Sequence, residues 1–292
     1  MQDFITYLIY SALWRLVRFL PEKTAYSMFE GIAKRSYRKN GKRIKRLREN
    51  YRQVFPSHDG PQLEALVQDG ISNAMRYWCD TFRISDWTEK RVATTVTTEN
   101  NELFLNSVES GKGVIIALPH AGNWDHAGLY YCSQGIKVHT VAEHLRPERL
   151  FRKFLAHRER MGMKVLDLDE RVTDQLKTFL LEGKLVALVA DRDLSRSGVD
   201  VEFFGANARM PAGPALLALK TEANLITAYV SFTEIGINIK FSGPFVVRRN
   251  QNESEEIQRL TQELANQFAL DIKRNPSSWH MQQRIFVDRK SK

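Results

Sequence analysis

Cysteine is nearly absent from this chain, with Cys79 and Cys132 the only two in 292 residues. Two unpatterned cysteines exclude a disulfide framework, fit a reducing compartment, and read as ordinary buried or half-buried thiols. A long hydrophobic run is missing too. Residues 4–20 come nearest, but Arg15 and Arg18 interrupt them and Pro21 ends them. As a helix they would reach about 25 Å, short of a hydrocarbon core of about 30 Å. With no basic stretch ahead and no small-residue cleavage site behind, a cleaved signal peptide is not expected. Neither internal repeats nor low-complexity tracts occur. Acidic residues are scarce at the start, where residues 1–55 hold 13 Lys and Arg against four Asp and Glu. The rest of the chain is balanced, so the net charge of +9 is an N-terminal property.

What is present there suits a membrane surface. Ser11, Arg15 and Arg18 fall at i, i+4 and i+7 and form one polar stripe. Ile5, Leu8, Ile9, Leu13, Trp14 and Leu16 cover much of the remaining circumference, the pattern of an interfacial amphipathic helix. The cations of residues 34–52 follow closely, and near an anionic leaflet each contributes on the order of 1 kcal/mol. Nucleic acid would satisfy the same charges, but no recognition helix or base-stacking signature accompanies them, and a nucleic-acid partner is not expected. A plain solvated helix face is the competing reading. Residues 1–55 are therefore expected to be a basic membrane-associating segment of the same domain that residues 56–292 build.

The centre of the chain is residues 114–128, VIIALPHAGNWDHAG. Val114 to Leu118 have the length and branching of a buried strand. Pro119 ends it, and Asn123 is a good N-cap for a helix from Trp124 to about Ser133. His120 then lies in a loop after a strand, where open α/β sheets place their sites. If the chain folds back, the Asp125 carboxylate accepts from one imidazole nitrogen of His120 and leaves the other free as a general base. With no Ser or Cys nucleophile beside it, such a pair suits direct attack by a substrate hydroxyl on an activated acyl group. A surface or structural His–Asp pair is the alternative from spacing alone, and zinc binding fails because His120 and His126 lack helical zinc-motif spacing.

Downstream, strands are expected at 136–142, 163–168 and 185–190, with helices at 147–161 and 172–181. This alternation predicts one α/β domain with a mostly parallel sheet covered by helices on both faces. Residues 61–86 have an apolar helical face in which Tyr77, Trp78 and Phe82 read as core rather than lipid groove. Asp191, Arg192 and Asp193 follow a strand end. Arg192 is suited to bidentate phosphate binding, and the two carboxylates to sugar hydroxyls or to orienting Arg192, against a structural salt-bridge cluster. Residues 203–214 are expected to form a loop over substrate, leading into a helix at 214–221. Strands at 225–232, 235–241 and 244–247 and a helix at 255–274 complete the chain. Trp279 and His280 are read as packing.

The segment HAGNWDHAG, with His120 and Asp125 five residues apart, resembles the bacterial lipid acyltransferases that include the lipid A late acyltransferases and the actinobacterial phosphatidylinositol mannoside acyltransferases. Residues 190–215 and the ending PSSWHMQQRIF, 276–286, make the match specific and look like the mannoside branch, over essentially the whole chain. The resemblance implies a glycerolphosphate-acyltransferase-like fold, His120 and Asp125 as catalytic residues, and Glu143 and Arg158 in support of the site. Without it, Glu143 and Arg158 read as solvated charges. It further implies palmitoyl or similar acyl-CoA as donor, a mannose hydroxyl of phosphatidylinositol mannoside as acceptor, no cofactor, and work at the cytoplasmic face of the plasma membrane. A lipid A precursor or lysophospholipid acceptor, and a non-catalytic binding protein, are the alternatives.

Overall fold

Val114 to Leu118 is buried at every position, and both its faces need cover. A parallel sheet with helices on each side supplies it. In the computed structural model, which describes residues 2–144, 146–168, 171–193, 198–249 and 252–287, the chain opens with four helices, α1 (Gln2–Phe19), α2 (Glu22–Lys39), α3 (Lys42–Val54) and α4 (Gly60–Arg83). A short α5 (Glu89–Thr94) and β1 (Val96–Glu99) lead to α6 (Asn101–Glu109), β2 (Val114–Leu118) and α7 (Trp124–Ser133). Alternation continues through β3 (Val138–Ala142), α8 (Glu148–Arg160), β4 (Lys164–Asp167), α9 (Val172–Leu181) and β5 (Leu185–Val189). Then come β6 (Val199–Phe203), β7 (Ala206–Met210), α10 (Gly213–Lys220), β8 (Asn224–Phe232), β9 (Ile237–Ser242) and α11 (Glu253–Arg274).

Seven strands form one sheet in the order β1-β9-β8-β2-β5-β3-β4. The five from β8 to β4 are mutually parallel, while β9 is antiparallel to β8 and β1 runs parallel to β9. Side-chain alternation along β2 divides the core. Ile115 and Ala117 join Leu47, Val67, Leu217 and Phe268 on one face, whereas Val114, Ile116 and Leu118 join Phe104, Tyr131 and Phe241 on the other.

Two expectations need correction. Residues 203–210 are not a loop over substrate. They belong to an antiparallel hairpin of β6 and β7 whose Phe203, Ala208 and Met210 are buried in the main core. Its turn lies at Phe204 and Gly205, both at positive φ. Residues 244–247 form no strand, because β9 ends at Ser242 and Gly243 turns at φ 120° into Pro244.

The α1 helix packs Trp14 and Val17 inward, and the Trp14 indole N–H donates to the Phe82 carbonyl at 3.0 Å. Trp14 thus leaves the apolar face assigned to it by spacing. Leu8, Ile9, Leu13 and Leu16 are about half exposed and Phe19 is 86% exposed. Among the described residues no helix is long and apolar enough to cross a membrane.

Candidate active site

The site is a consequence of strand register. Strands β2 and β5 pair in parallel from Val114 opposite Leu185 to Leu118 opposite Val189, a constant offset that the chains keep beyond the strands, where the Ala190 N–H donates to the Leu118 carbonyl at 2.8 Å. Two residues further on, the same offset brings His120 against Asp191. Their contact is close: His120 Nδ1 lies 2.6 Å from Asp191 Oδ1, and the His120 backbone N–H donates to Oδ2 at 3.0 Å. The Trp279 indole N–H donates to Oδ2 as well, at 2.9 Å.

Asp191 is fully buried, and burial by itself works to raise its carboxyl. The imidazole, both donors from His120 and the indole outweigh that and hold it below the ordinary carboxylate range. A carboxylate accepts only, so His120 Nδ1 carries the proton and Nε2 keeps its lone pair. The His120 side chain is 37% exposed, so a substrate has access to it.

Asp125, expected as the partner of His120, is engaged elsewhere. Its carboxylate accepts from Arg158 Nε at 2.7 Å and Nη2 at 3.3 Å, and from the Tyr77 hydroxyl at 3.1 Å. The reason is local geometry. Asn123 caps α7 by accepting from the His126 N–H at 3.0 Å, which places Asp125 in the first helical turn facing α4 and α8 rather than the loop. Asp125 is buried and the Arg158 side chain is 19% exposed, so this is an interior ion pair joining α7 to α8. Burial, then the Asp125 charge, push the Tyr77 phenol far up, so it remains a donor. The Tyr77 ring packs 4.4 Å from Trp124, which in turn stands edge-on to His120 at 5.8 Å.

The loop carrying His120 is stitched to the segment after α11. Ala121 bridges Trp279, the Gly122 N–H donates to the Ser278 carbonyl at 2.8 Å, and the Gly122 carbonyl accepts from His280 Nε2 at 3.0 Å. Gly122 adopts φ 60°, and a Cβ there would lie 2.4 Å from the Val230 carbonyl oxygen, so only glycine fits. Burial lowers His280 to about 4, leaving it neutral with its proton on Nε2. The N–H of Gly122 is thereby committed to this stitching. Further donors hold the same segment from behind, the Tyr51 hydroxyl on the Trp279 carbonyl at 3.0 Å and Asn50 Nδ2 on the Met281 carbonyl at 2.9 Å.

Of the remaining charges, Glu143 stands exposed at the end of β3. Arg192 is half-buried and donates from Nε to the Arg284 carbonyl at 3.1 Å, and the Asp193 N–H donates to the Arg209 carbonyl at 2.7 Å. These three take no part in the hydrogen bonds that join His120, Asp191 and Trp279. Trp279 and His280, read as packing, hold the site directly. The run PSSWHM carried no periodicity that would have marked them. Cys79 is buried and Cys132 half-buried, and burial pushes the Cys79 thiol up to about 12, so neither is an activated nucleophile.

A buried carboxylate holds one imidazole nitrogen of a solvent-accessible histidine at the carboxyl ends of parallel strands, an arrangement chemically able to act as a general base. The model of the family described as bacterial lipid A biosynthesis acyltransferase matches residues 1–287, and the chain belongs to that family. It is 35% identical over 282 residues to a phosphatidylinositol mannoside acyltransferase of Mycolicibacterium smegmatis, covering 96% of this chain and 90% of that one. To a protein of the same name from Mycobacterium tuberculosis it is 34% identical over 279 residues, with 94% and 86% covered.

Proposed function

We propose that this acyltransferase moves a long-chain acyl group, palmitoyl or similar, from acyl-CoA to a mannose hydroxyl of phosphatidylinositol mannoside, with His120 as general base. The observation that carries the reading is the Asp191–His120 contact with its solvent-facing Nε2. The acceptor O–H gives its proton to Nε2 as its oxygen bonds to the thioester carbonyl carbon. The tetrahedral intermediate collapses with cleavage of the C–S bond, and the imidazolium returns the proton to the departing thiolate. Asp191 holds the imidazole and stabilises its charged form, the part spacing had given to Asp125. Asp125, with Arg158 and Tyr77, fixes the start of α7 and so the loop. Arg192 and Asp193, beside Asp191 at the strand end, are suited to binding phosphate or sugar groups of the substrates, while Asp191 itself is buried and committed to His120 and Trp279, and Glu143 is suited to the rim.

The exposed apolar face of α1 and the cations of α2 and α3 support attachment at the anionic cytoplasmic face of a membrane. Names of the relatives support the acceptor. It is tested by supplying labelled palmitoyl-CoA with phosphatidylinositol mannoside, a lipid A precursor or a lysophospholipid in parallel. Label in the mannoside is expected, and label in another acceptor alone overturns the assignment.

A further inference from the structure

Along α8, Arg149, Lys153 and Arg160 fall at i, i+4 and i+11, within about 40° of arc at 100° per residue. They face α1. The Arg149 guanidinium lies 5.1 Å from the centre of the Phe4 ring, and the Lys153 ammonium 5.0 Å from that of Trp14 and 6.0 Å from that of Tyr7. On α1, Phe4, Ser11, Arg15 and Arg18 share one face by the same periodicity, so the basic stripe of each helix looks onto the other. Of these five cations only Arg18 has a carboxylate partner, Asp86, among the described residues. Arg15, Arg160 and Arg18 press the Lys153 ammonium down after burial has begun to do so, the mark of a site where positive charge is in excess. Ser11 Oγ is buried with no hydrogen-bond partner among the described residues. The aromatic rings attract the cations but cannot neutralise them.

Two helices do not pack like charges along a seam without cost, and we propose that the α1–α8 seam is a binding site for a phosphate group, seated among Arg15, Lys153 and Arg160. The source is a phospholipid headgroup, because the same helix presents Leu8 and Phe19 to solvent beside the seam, where acyl chains would begin. The inference rests on the membrane reading of α1 for that source alone.

The test uses the full chain, wild type against Lys153→Gln/Arg160→Gln, and a charge-keeping Lys153→Arg/Arg160→Lys control. Thermal unfolding is followed with millimolar inorganic pyrophosphate as probe, and binding by sedimentation with phosphatidylcholine vesicles with and without phosphatidylinositol. Without anion the neutralised variant should melt at or above wild type, since repulsion is relieved. Pyrophosphate should raise the melting temperature of wild type and control by several degrees and leave the neutralised variant unmoved. Binding to phosphatidylinositol vesicles should fall about tenfold in that variant alone. A variant that melts lower and a wild type indifferent to pyrophosphate would make the cations structural and overturn the site. A pyrophosphate response with equal vesicle binding would keep the phosphate site and overturn the lipid source. Acyl transfer to detergent-dispersed acceptor, measured on the same samples, should survive neutralisation; its absence from wild type would fail the catalytic reading without touching this one.

Discussion

Exchange of Asp191 for Asn should disable the base without unfolding the protein, and hydrogen-bond arithmetic gives the reason. The carboxylate faces His120 Nδ1–H with Oδ1, and both the His120 backbone N–H and the Trp279 indole N–H with Oδ2. An amide has one acceptor oxygen. Placed toward Nδ1, it would turn its NH2 against two donors. Placed toward the two donors, it satisfies both and turns the NH2 toward Nδ1, which must then accept. That arrangement wins because it leaves no donor facing a donor. It moves the imidazole proton to Nε2 and removes the lone pair that takes the substrate proton. Where a buried carboxylate sets the tautomer of a base in this way, the loss in kcat is about 10⁴, or roughly 5 kcal/mol of barrier. Folding should suffer by only about 1 kcal/mol. Steady-state acyl transfer and thermal unfolding measured on one preparation check both numbers. Asp125→Asn is the counterpart: it leaves a largely buried Arg158 without its charge partner and should cost about 3–5 kcal/mol of stability. If Asp191→Asn retains kcat within tenfold, or if Asp125→Asn abolishes turnover with an unchanged melting temperature, the orienting role belongs to Asp125 after all.

Three further outcomes are expected. Trp279→Phe removes one donor from Asp191 while keeping the ring, and should lower kcat about tenfold; an unchanged kcat would make the indole a packing group only. Gly122→Ala forces a Cβ against the Val230 carbonyl in a left-handed backbone, and should destabilise the fold by about 2 kcal/mol or more and misplace His120; a stable, active variant would contradict the loop geometry. Burial depresses His126 to about 3 and both His157 and His280 to about 4, so below pH 6.5 the unfolded chain takes up protons that the fold refuses. Asp80, raised by burial to about 6, gains its proton in the fold first and opposes this, leaving roughly 4 kcal/mol lost by pH 5. Urea midpoints at pH 7.5 and 5.0 should differ accordingly, and equal midpoints would refute it.

What could be read from the chain and what could not divide along sequence distance. The strand Val114–Leu118, the Asn123 cap and the helix from Trp124 are written in contiguous residues, and the structure has them where spacing places them. Alternation of strands and helices was enough for the parallel sheet, and β9 adds an antiparallel pairing to it. The carboxylate that serves His120 was not legible in the same way. It depends on β2 lying beside β5 in one register, and Asp125, five residues from His120, occupied the place in the argument that Asp191, 71 residues away, occupies in space. Trp279 is further still, 88 residues beyond Asp191, on a segment without periodicity. Residues 203–214 read as a loop because Gly205 and the Pro211–Gly213–Pro214 breakers outweigh the alternation of β7, a strand of only five residues.

The most direct measurement is acyl transfer from radiolabelled palmitoyl-CoA to phosphatidylinositol mannoside by wild type and His120→Ala side by side, with thermal unfolding of both. The account requires labelled glycolipid from wild type and a loss of about 10²–10⁴-fold or more from a variant that still folds. Turnover by the folded variant at the wild-type rate would contradict it.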